Sequence, residues 1–253
     1  MNVAVYTCIT NSYDSLSLPR HINSKLDYYC FNDGSIEVCE PWVSVRLNNI
    51  QNPKDANRKL KLLPHQNDIL KTYDITIYID GSIEIVSDLN FIIDYIVNTE
   101  GHTFIYEHKY RNCIYDECIE CYLSNKISLS SCRKMLAFLL NENMPTKIGL
   151  FEATILIRKS KNLECINLMN HWWDNYINSF GVRRDQIALM YTLWCNKLNV
   201  STLGLPDYHY GNLYFKSKNN HTNSGLKSFY NWWVRRPGLK TLLKFKILKL
   251  DKD

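Results

Sequence analysis

The chain has no Gly-x-Gly-x-x-Gly turn and no Gly-x-x-x-x-Gly-Lys-Ser/Thr loop. Those glycine patterns let a backbone wrap a dinucleotide or the phosphates of ATP, so their absence argues against dinucleotide dehydrogenases and P-loop kinases. No apolar run reaches the roughly 20 residues of a membrane-crossing helix. No secretory leader is expected, because residues 1–6 run straight into a strand-like segment. Paired zinc-type cysteines are missing too. The nine cysteines are an odd number, and Cys118 and Cys121, spaced C-x-x-C, fall in a helical pattern. They read as reduced, mostly core-filling thiols. Internal repeats are absent. The net charge is +5, with basic residues gathered near the end. That points to a local anionic partner and away from a nucleic-acid coat. With 253 residues, 45% of them apolar, the chain is expected to be a cytoplasmic globular protein. It forms one large domain, or one domain with an appendage.

What is present centres on residues 74–85. Ile75, Ile77 and Ile79 alternate with Thr76 and Tyr78, which predicts a buried strand. Asp80-Gly81-Ser82 stops it, and a short second strand follows. An acid at the carboxyl end of a buried strand sits at the mouth of a sheet, where open α/β sheets bind ligands. It suits a divalent cation carrying a diphosphate, or it is an ordinary strand-ending turn.

Further strands are expected at residues 2–9, 26–31, 42–47, 102–107, 151–158 and 200–203. Pro53 and Pro64 bracket a short basic helix whose charges are either a solvated face or counter-charges for a diphosphate. Helical patterns cover residues 87–98, capped by Ser87-Asp88, then 115–123, 132–140 and 163–177, and a last one from 183 to about 198. Strands alternating with helices predict an α/β fold with a mainly parallel sheet.

These motifs, in order, resemble a glycosyltransferase-like domain family of bacterial polysaccharide loci and plant Golgi proteins. The matching pieces are Val5-Tyr6-Thr7 with Tyr13-Asp14, Tyr28-Tyr29-Cys30-Phe31, Arg58-Lys59-x-Lys61-x-Leu63-Pro64-His65 and Tyr78-Ile79-Asp80-Gly81-Ser82. They continue with Glu107-His108, Arg111-Asn112-Cys113-Ile114-Tyr115-Asp116-Glu117, Gly149-Leu150-Phe151-Glu152, and Trp172-Trp173 followed by Arg184-Asp185-Gln186. The resemblance covers about residues 1–200. It implies a GT-A fold, Rossmann-like, with a mixed but mainly parallel sheet flanked by helices. The first half would bind a nucleotide-sugar donor and the second a glycan acceptor.

By the same resemblance Tyr6, Thr7 and Asp14 hold the nucleoside, and Arg58 and Lys61 reach the donor's phosphates or sugar. Asp80, with Gly81 and Ser82, stands where such enzymes carry an Asp-x-Asp motif for Mn2+ or Mg2+. Ser82 replaces the second acid, which leaves metal dependence open. His209 is either a further metal or phosphate ligand or a packing residue. Glu152 and Asp185 compete as general base of an inverting transferase, whereas a retaining one needs neither in that role. Asp185 also reads as a carboxylate stabilised in a helix's first turn. His108, Arg111, Asn112 and Glu117, with Gln186, would line the acceptor or sugar pocket.

From residue 225 onward aromatic and aliphatic residues mix with Lys and Arg. This predicts a basic, aromatic, helical tail lying on an anionic membrane, or packed on the domain or a second copy. The expectation is a 1–224 transferase domain with a 225–253 tail, peripheral at the inner membrane face, acting on a cell-surface or lipid-linked glycan such as lipopolysaccharide or capsule. Two other readings remain, a non-catalytic domain that binds glycan or partners and a sugar-phosphate transferase.

Overall fold

The computed structural model of the chain describes residues 1–179, 181–206 and 213–218. His209 and the 225–253 tail lie outside them.

The strands are β1 (Val3–Ile9), β2 (Leu26–Asn32), β3 (Val43–Arg46), β4 (Ile75–Ile79), β5 (Ile83–Ile85), β6 (Thr103–Glu107), β7 (Phe151–Lys159), β8 (Ser201–Thr202) and β9 (Phe215–Ser217). Between them run α1 (Pro53–Leu62), α2 (Asn90–Asn98), α3 (Ile114–Leu123), α4 (Leu129–Asn141), α5 (Leu163–Asn178) and α6 (Asp185–Cys195). Seven strands form one sheet in the order β3-β2-β1-β4-β7-β6-β8, and β5 pairs with β9 separately. β1 is parallel to both β2 and β4, β2 to β3 and β6 to β8, while β7 runs antiparallel between β4 and β6. This is the mainly parallel α/β sheet that the alternation of strands and helices predicts.

Both faces of the sheet are covered. Ala4, Tyr6, Cys8, Tyr78 and Leu156 face a core built with α1 and α3 to α6. Val3, Val5, Ile75, Ile77, Ile79 and Ile157 face a second core, shared with α2 and the β5–β9 pair. The alternation in β4 follows from this. Its isoleucines fill one core, each contributing about 1.5–3 kcal/mol by burial, and Tyr78 enters the other. Thr76 tolerates full burial because its hydroxyl is hydrogen-bonded to that of Ser160 at 2.8 Å.

Helix ends are set by named caps. Asn52 Oδ1 accepts from the N–H of Lys54 and Asp55, and Pro53 occupies the first turn, where its missing N–H costs nothing. α2 begins at Asn90, because Asp88 Oδ1 accepts the Asn90 N–H and holds residues 87–89 outside the helix. α6 begins at Asp185, leaving Arg183 and Arg184 before it, and stops at Cys195, short of the expected 198.

The chain crosses from β3 over β2 and β1 to enter β4. The strand order therefore switches between β1 and β4, and the crevice outside their carboxyl ends is where such sheets bind ligands. Asp80 follows β4 at that crevice.

Candidate active site

Three loops and one late strand wall a pocket at the switch point. It is lined by Ser12 to Leu16 after β1, Ser35 to Glu37 after β2, Gly81 and Ser82 after β4, and Lys218 after β9, with a volume of about 460 Å3. Gly81 is required by close approach, since a Cβ there would stand 2.7 Å from Asp14 Cβ and 2.9 Å from Ile9 Cγ1. Lys218 reaches this place because β9 pairs with β5, which also lets its backbone N–H donate to Ser82 O. Its Nζ donates to Ser15 O at 2.9 Å. Burial lowers the Lys218 ammonium's pKa, against the opposing pull of Glu84 and Asp14.

Asp80 stands between this pocket and a network of charges. Its backbone N–H donates to Thr154 O of β7. Its Oδ1 accepts from Tyr78 Oη at 2.7 Å and from Lys61 Nζ at 3.4 Å. Lys61 Nζ also donates to Asp185 Oδ2 at 2.9 Å and lies over the Tyr78 ring. Arg58 Nε is 3.0 Å from the same Asp185 oxygen, an ion pair whose angle falls short of a hydrogen bond. Burial, then the charge of Asp80, raises the Tyr78 hydroxyl well above its usual pKa, so it stays a donor.

Asp185 is nearly fully buried, in the first turn of α6, and Trp172 Nε1 donates to its carbonyl at 2.7 Å. Burial by itself raises a carboxyl's pKa. Here Arg58, Lys61 and Arg184 outweigh it and hold Asp185 well below the carboxylate range. A carboxylate so stabilised is a weak base. Lys54 shares this field with Arg58, Arg184 and Asp185. Lys54, Arg58, Lys61 and Arg184 thus gather around Asp80 and Asp185, with Asp55 also acting on Lys54 and Glu117 on Arg184. Arg183 is separately paired with Asp55.

A second group stands along the same sheet edge. His108 follows β6, Glu152 opens β7 opposite Tyr106, and Glu117 projects from α3. Arg111 Nε donates to Glu117 Oε2 at 2.7 Å, and His108 Nε2 is 3.7 Å from Glu152 Oε1 and 3.9 Å from Glu117 Oε2. His108 Nδ1 accepts from the N–H groups of Tyr110 and Arg111, and Arg111 Nη2 stands 2.8 Å from His108 Nε2. Burial first, and Arg111 next, lower the His108 pKa against the pull of Glu152 and Glu117, so the ring is neutral at neutral pH. Arg184 feels both Asp185 and Glu117 and so links the two groups. Gln186 Nε2 donates to Phe151 O and ties α6 to the start of β7.

The expected site residues thus separate by place. Asp14, Gly81 and Ser82 line the switch-point pocket; Arg58, Lys61, Asp80 and Asp185 join in one ion network; His108, Arg111, Glu117 and Glu152 join in another. Asn112 is exposed, and its carbonyl accepts from Gly149 N. Tyr6 and Thr7 are both 0% exposed, so their side chains are out of a nucleoside's reach. Tyr6 Oη donates to Leu60 O and accepts from Arg158 Nη2, and burial pushes its pKa up to about 12. Tyr78, Lys54, Arg184 and Lys218 enter the site without having been given a role there from sequence. Tyr78 was legible, since residues two apart on a strand share a face and Tyr78 precedes Asp80 by two.

The described residues fit a resident divalent cation poorly. Asp80 Oδ1 is engaged by a hydroxyl and an ammonium, and Ser82 replaces a second acid. Among the described residues no group of three or more His, Cys, Asp or Glu is gathered for a metal.

No curated protein sequence matches the chain. Among solved structures, it is similar to apo mouse xyloside xylosyltransferase 1, with 9% identity over 79% of this chain and 85% of that one, at a TM-score of 0.46. It is also similar to the glycosyltransferase GlyE of Streptococcus pneumoniae TIGR4 in its apo form, with 14% identity over 80% of this chain and a TM-score of 0.43. The match spans only 45% of that protein's length. The sequence profile described as TOD1/MUCI70, glycosyltransferase-like domain, matches residues 1–204, and the switch-point sheet is of the GT-A-like α/β kind. By that match over most of its length, the chain belongs to the TOD1/MUCI70 glycosyltransferase-like domain family.

Proposed function

We propose that the chain is a glycosyltransferase that moves a sugar from a nucleotide-sugar donor to a glycan acceptor. The observation that carries this is Asp80 at the switch point, with a polar pocket on one side and a cluster of cations on the other. The nucleoside enters the pocket walled by Asp14, Gly81, Ser82 and Lys218. The diphosphate lies toward Arg58, and Asp80 orients the donor through its outward oxygen. The acceptor enters along the edge lined by His108, Arg111, Glu117 and Glu152.

In the transfer, the acceptor oxygen bonds to the sugar's anomeric carbon as the bond from that carbon to the diphosphate oxygen breaks. The acceptor's proton passes to Glu152, beside the neutral His108. The leaving diphosphate's charge is met by Arg58 within the cationic field. Asp185, pinned by its cations, orients Lys61 and Arg58 and takes no proton. The acceptor is a cell-surface, lipid-linked glycan, met by the basic aromatic tail at an anionic membrane. The tail's composition supports this part.

The test is a panel of nucleotide-sugars with the purified chain, following release of the nucleotide. Turnover of one donor, lost in Asp80→Asn, supports the proposal. Glycan binding with no turnover of any donor would instead make this a non-catalytic domain. A phosphodiester product in the phosphorus NMR spectrum would make it a sugar-phosphate transferase.

A further inference from the structure

Lys61 is a charged side chain only 2% exposed, on a helix whose composition suggests a solvated face. A buried ammonium persists only where carboxylates and hydrogen bonds replace its water. Asp185 at 2.9 Å and Asp80 at 3.4 Å do so, with the Tyr78 ring beneath. The consequence falls on Asp80. A divalent cation held there would need the lone pairs of its carboxylate and several further oxygen or nitrogen donors. Oδ1 already accepts from Tyr78 and Lys61, and an ammonium this near would repel an incoming dication. The residue two places on is Ser82, and the described residues gather no other set of metal ligands.

Resting on the transferase reading above, we infer that this site binds the donor diphosphate without a metal ion: Lys61 supplies beneath Asp80 the positive charge a divalent cation would bring, and Arg58 makes the contact to phosphate. Lys61 is too buried to be the contact itself. Arg58 is placed for it, with a side chain 21% exposed. Its Nε is held beside Asp185, its Nη1 donates to Asn57 Oδ1, and its Nη2 makes no hydrogen bond among the described residues. A guanidinium held on one edge presents its remaining N–H groups in a plane, which suits the oxygens of a phosphate. Lys54 and Arg184 add their charges to the field around Asp185. Asp185 then has a purpose that a proton acceptor would not, since it fixes both cations at one oxygen.

The experiment is isothermal titration of the full chain with UDP, GDP and CDP, each in excess EDTA and again in excess Mn2+. The expected result is that whichever nucleotide binds does so with the same Kd in both buffers, within about twofold. Arg58→Ala should weaken it about tenfold or more in both, the loss of a charge-assisted contact to phosphate. If the alanine variant does not fold, Arg58→Lys, which keeps the charge and loses the fork, should show a loss in the same direction. Binding in Mn2+ that EDTA removes would overturn this inference and leave the transferase reading standing. Wild-type affinity in a folded Arg58 variant would overturn the role given to Arg58. Failure of every nucleotide in both buffers would overturn the inference and the reading together.

Discussion

Asp185→Asn separates a carboxylate that organises charge from one that takes a proton. The substitution keeps the shape of the side chain and removes its charge. Lys61, 2% exposed, then keeps only Asp80, 3.4 Å away, and Arg58 loses the carboxylate beside its Nε. Removing one partner from a buried ion pair costs about 3–5 kcal/mol, because the other charge is left in a poorly solvated place. The residual pairing to Asp80 puts the expected loss near the lower end, about 3 kcal/mol. For a chain of this size that lowers Tm by about 6–12 °C. The pH dependence has a definite sign. The folded-state pKa of Asp185 lies below its ordinary value, so its contribution is complete above the ordinary carboxylate range and is lost as pH falls through the folded value. The gap between variant and wild type should therefore be constant at neutral pH and narrow only below about pH 4. Tryptophan fluorescence during thermal unfolding, at neutral and acid pH, measures both. A variant that melts with the wild type at neutral pH, yet has lost turnover, would refute the reasoning and restore Asp185 as a proton acceptor.

Glu152→Gln should lower turnover about 100-fold or more while nucleotide affinity stays within about threefold, measured by single-turnover assays beside titration. Near-normal turnover would remove Glu152 from the chemistry. Gly81→Ala would drive a Cβ to 2.7 Å from Asp14 Cβ, costing about 1–3 kcal/mol and narrowing the pocket. Nucleotide binding should fall with stability in denaturant titration, and an unchanged Kd would place the nucleoside elsewhere. Ending the chain at Ser224 should keep nucleotide binding and abolish sedimentation with anionic liposomes. Sedimentation that survives truncation would locate membrane affinity outside the tail.

The strand at residues 75–79 and its Asp80 turn were legible because β-branched alternation and a Gly-Ser stop are local signals, and the structure keeps both. The helix beginning at Pro53 was legible for the same reason, the prolines that bracket it being local signals. What local pattern did not carry was which face of α1 is buried. Lys61 looks like a surface lysine until Asp185, over a hundred residues later, is folded against it. The insertion of β7 between β4 and β6 was equally hidden, since pairing order is set by packing both faces of the sheet. Tyr6 and Thr7 sit in a motif of the resembled family, but their strand is central and covered on both sides, which removes them from the pocket. Lys218 was missed because its place depends on a three-residue strand joining β5 from far along the chain.

The central claim is that a nucleotide-sugar lies across the β1–β4 switch point with its diphosphate between Asp80 and Arg58. A crystal of the chain soaked with the nucleotide-sugar it turns over measures this directly. The account predicts the nucleoside among Asp14, Gly81, Ser82 and Lys218, and a phosphate oxygen within hydrogen-bond distance of the Arg58 guanidinium. A donor bound away from that crevice, or one whose diphosphate reaches Asp80 only through a metal ion, would contradict it.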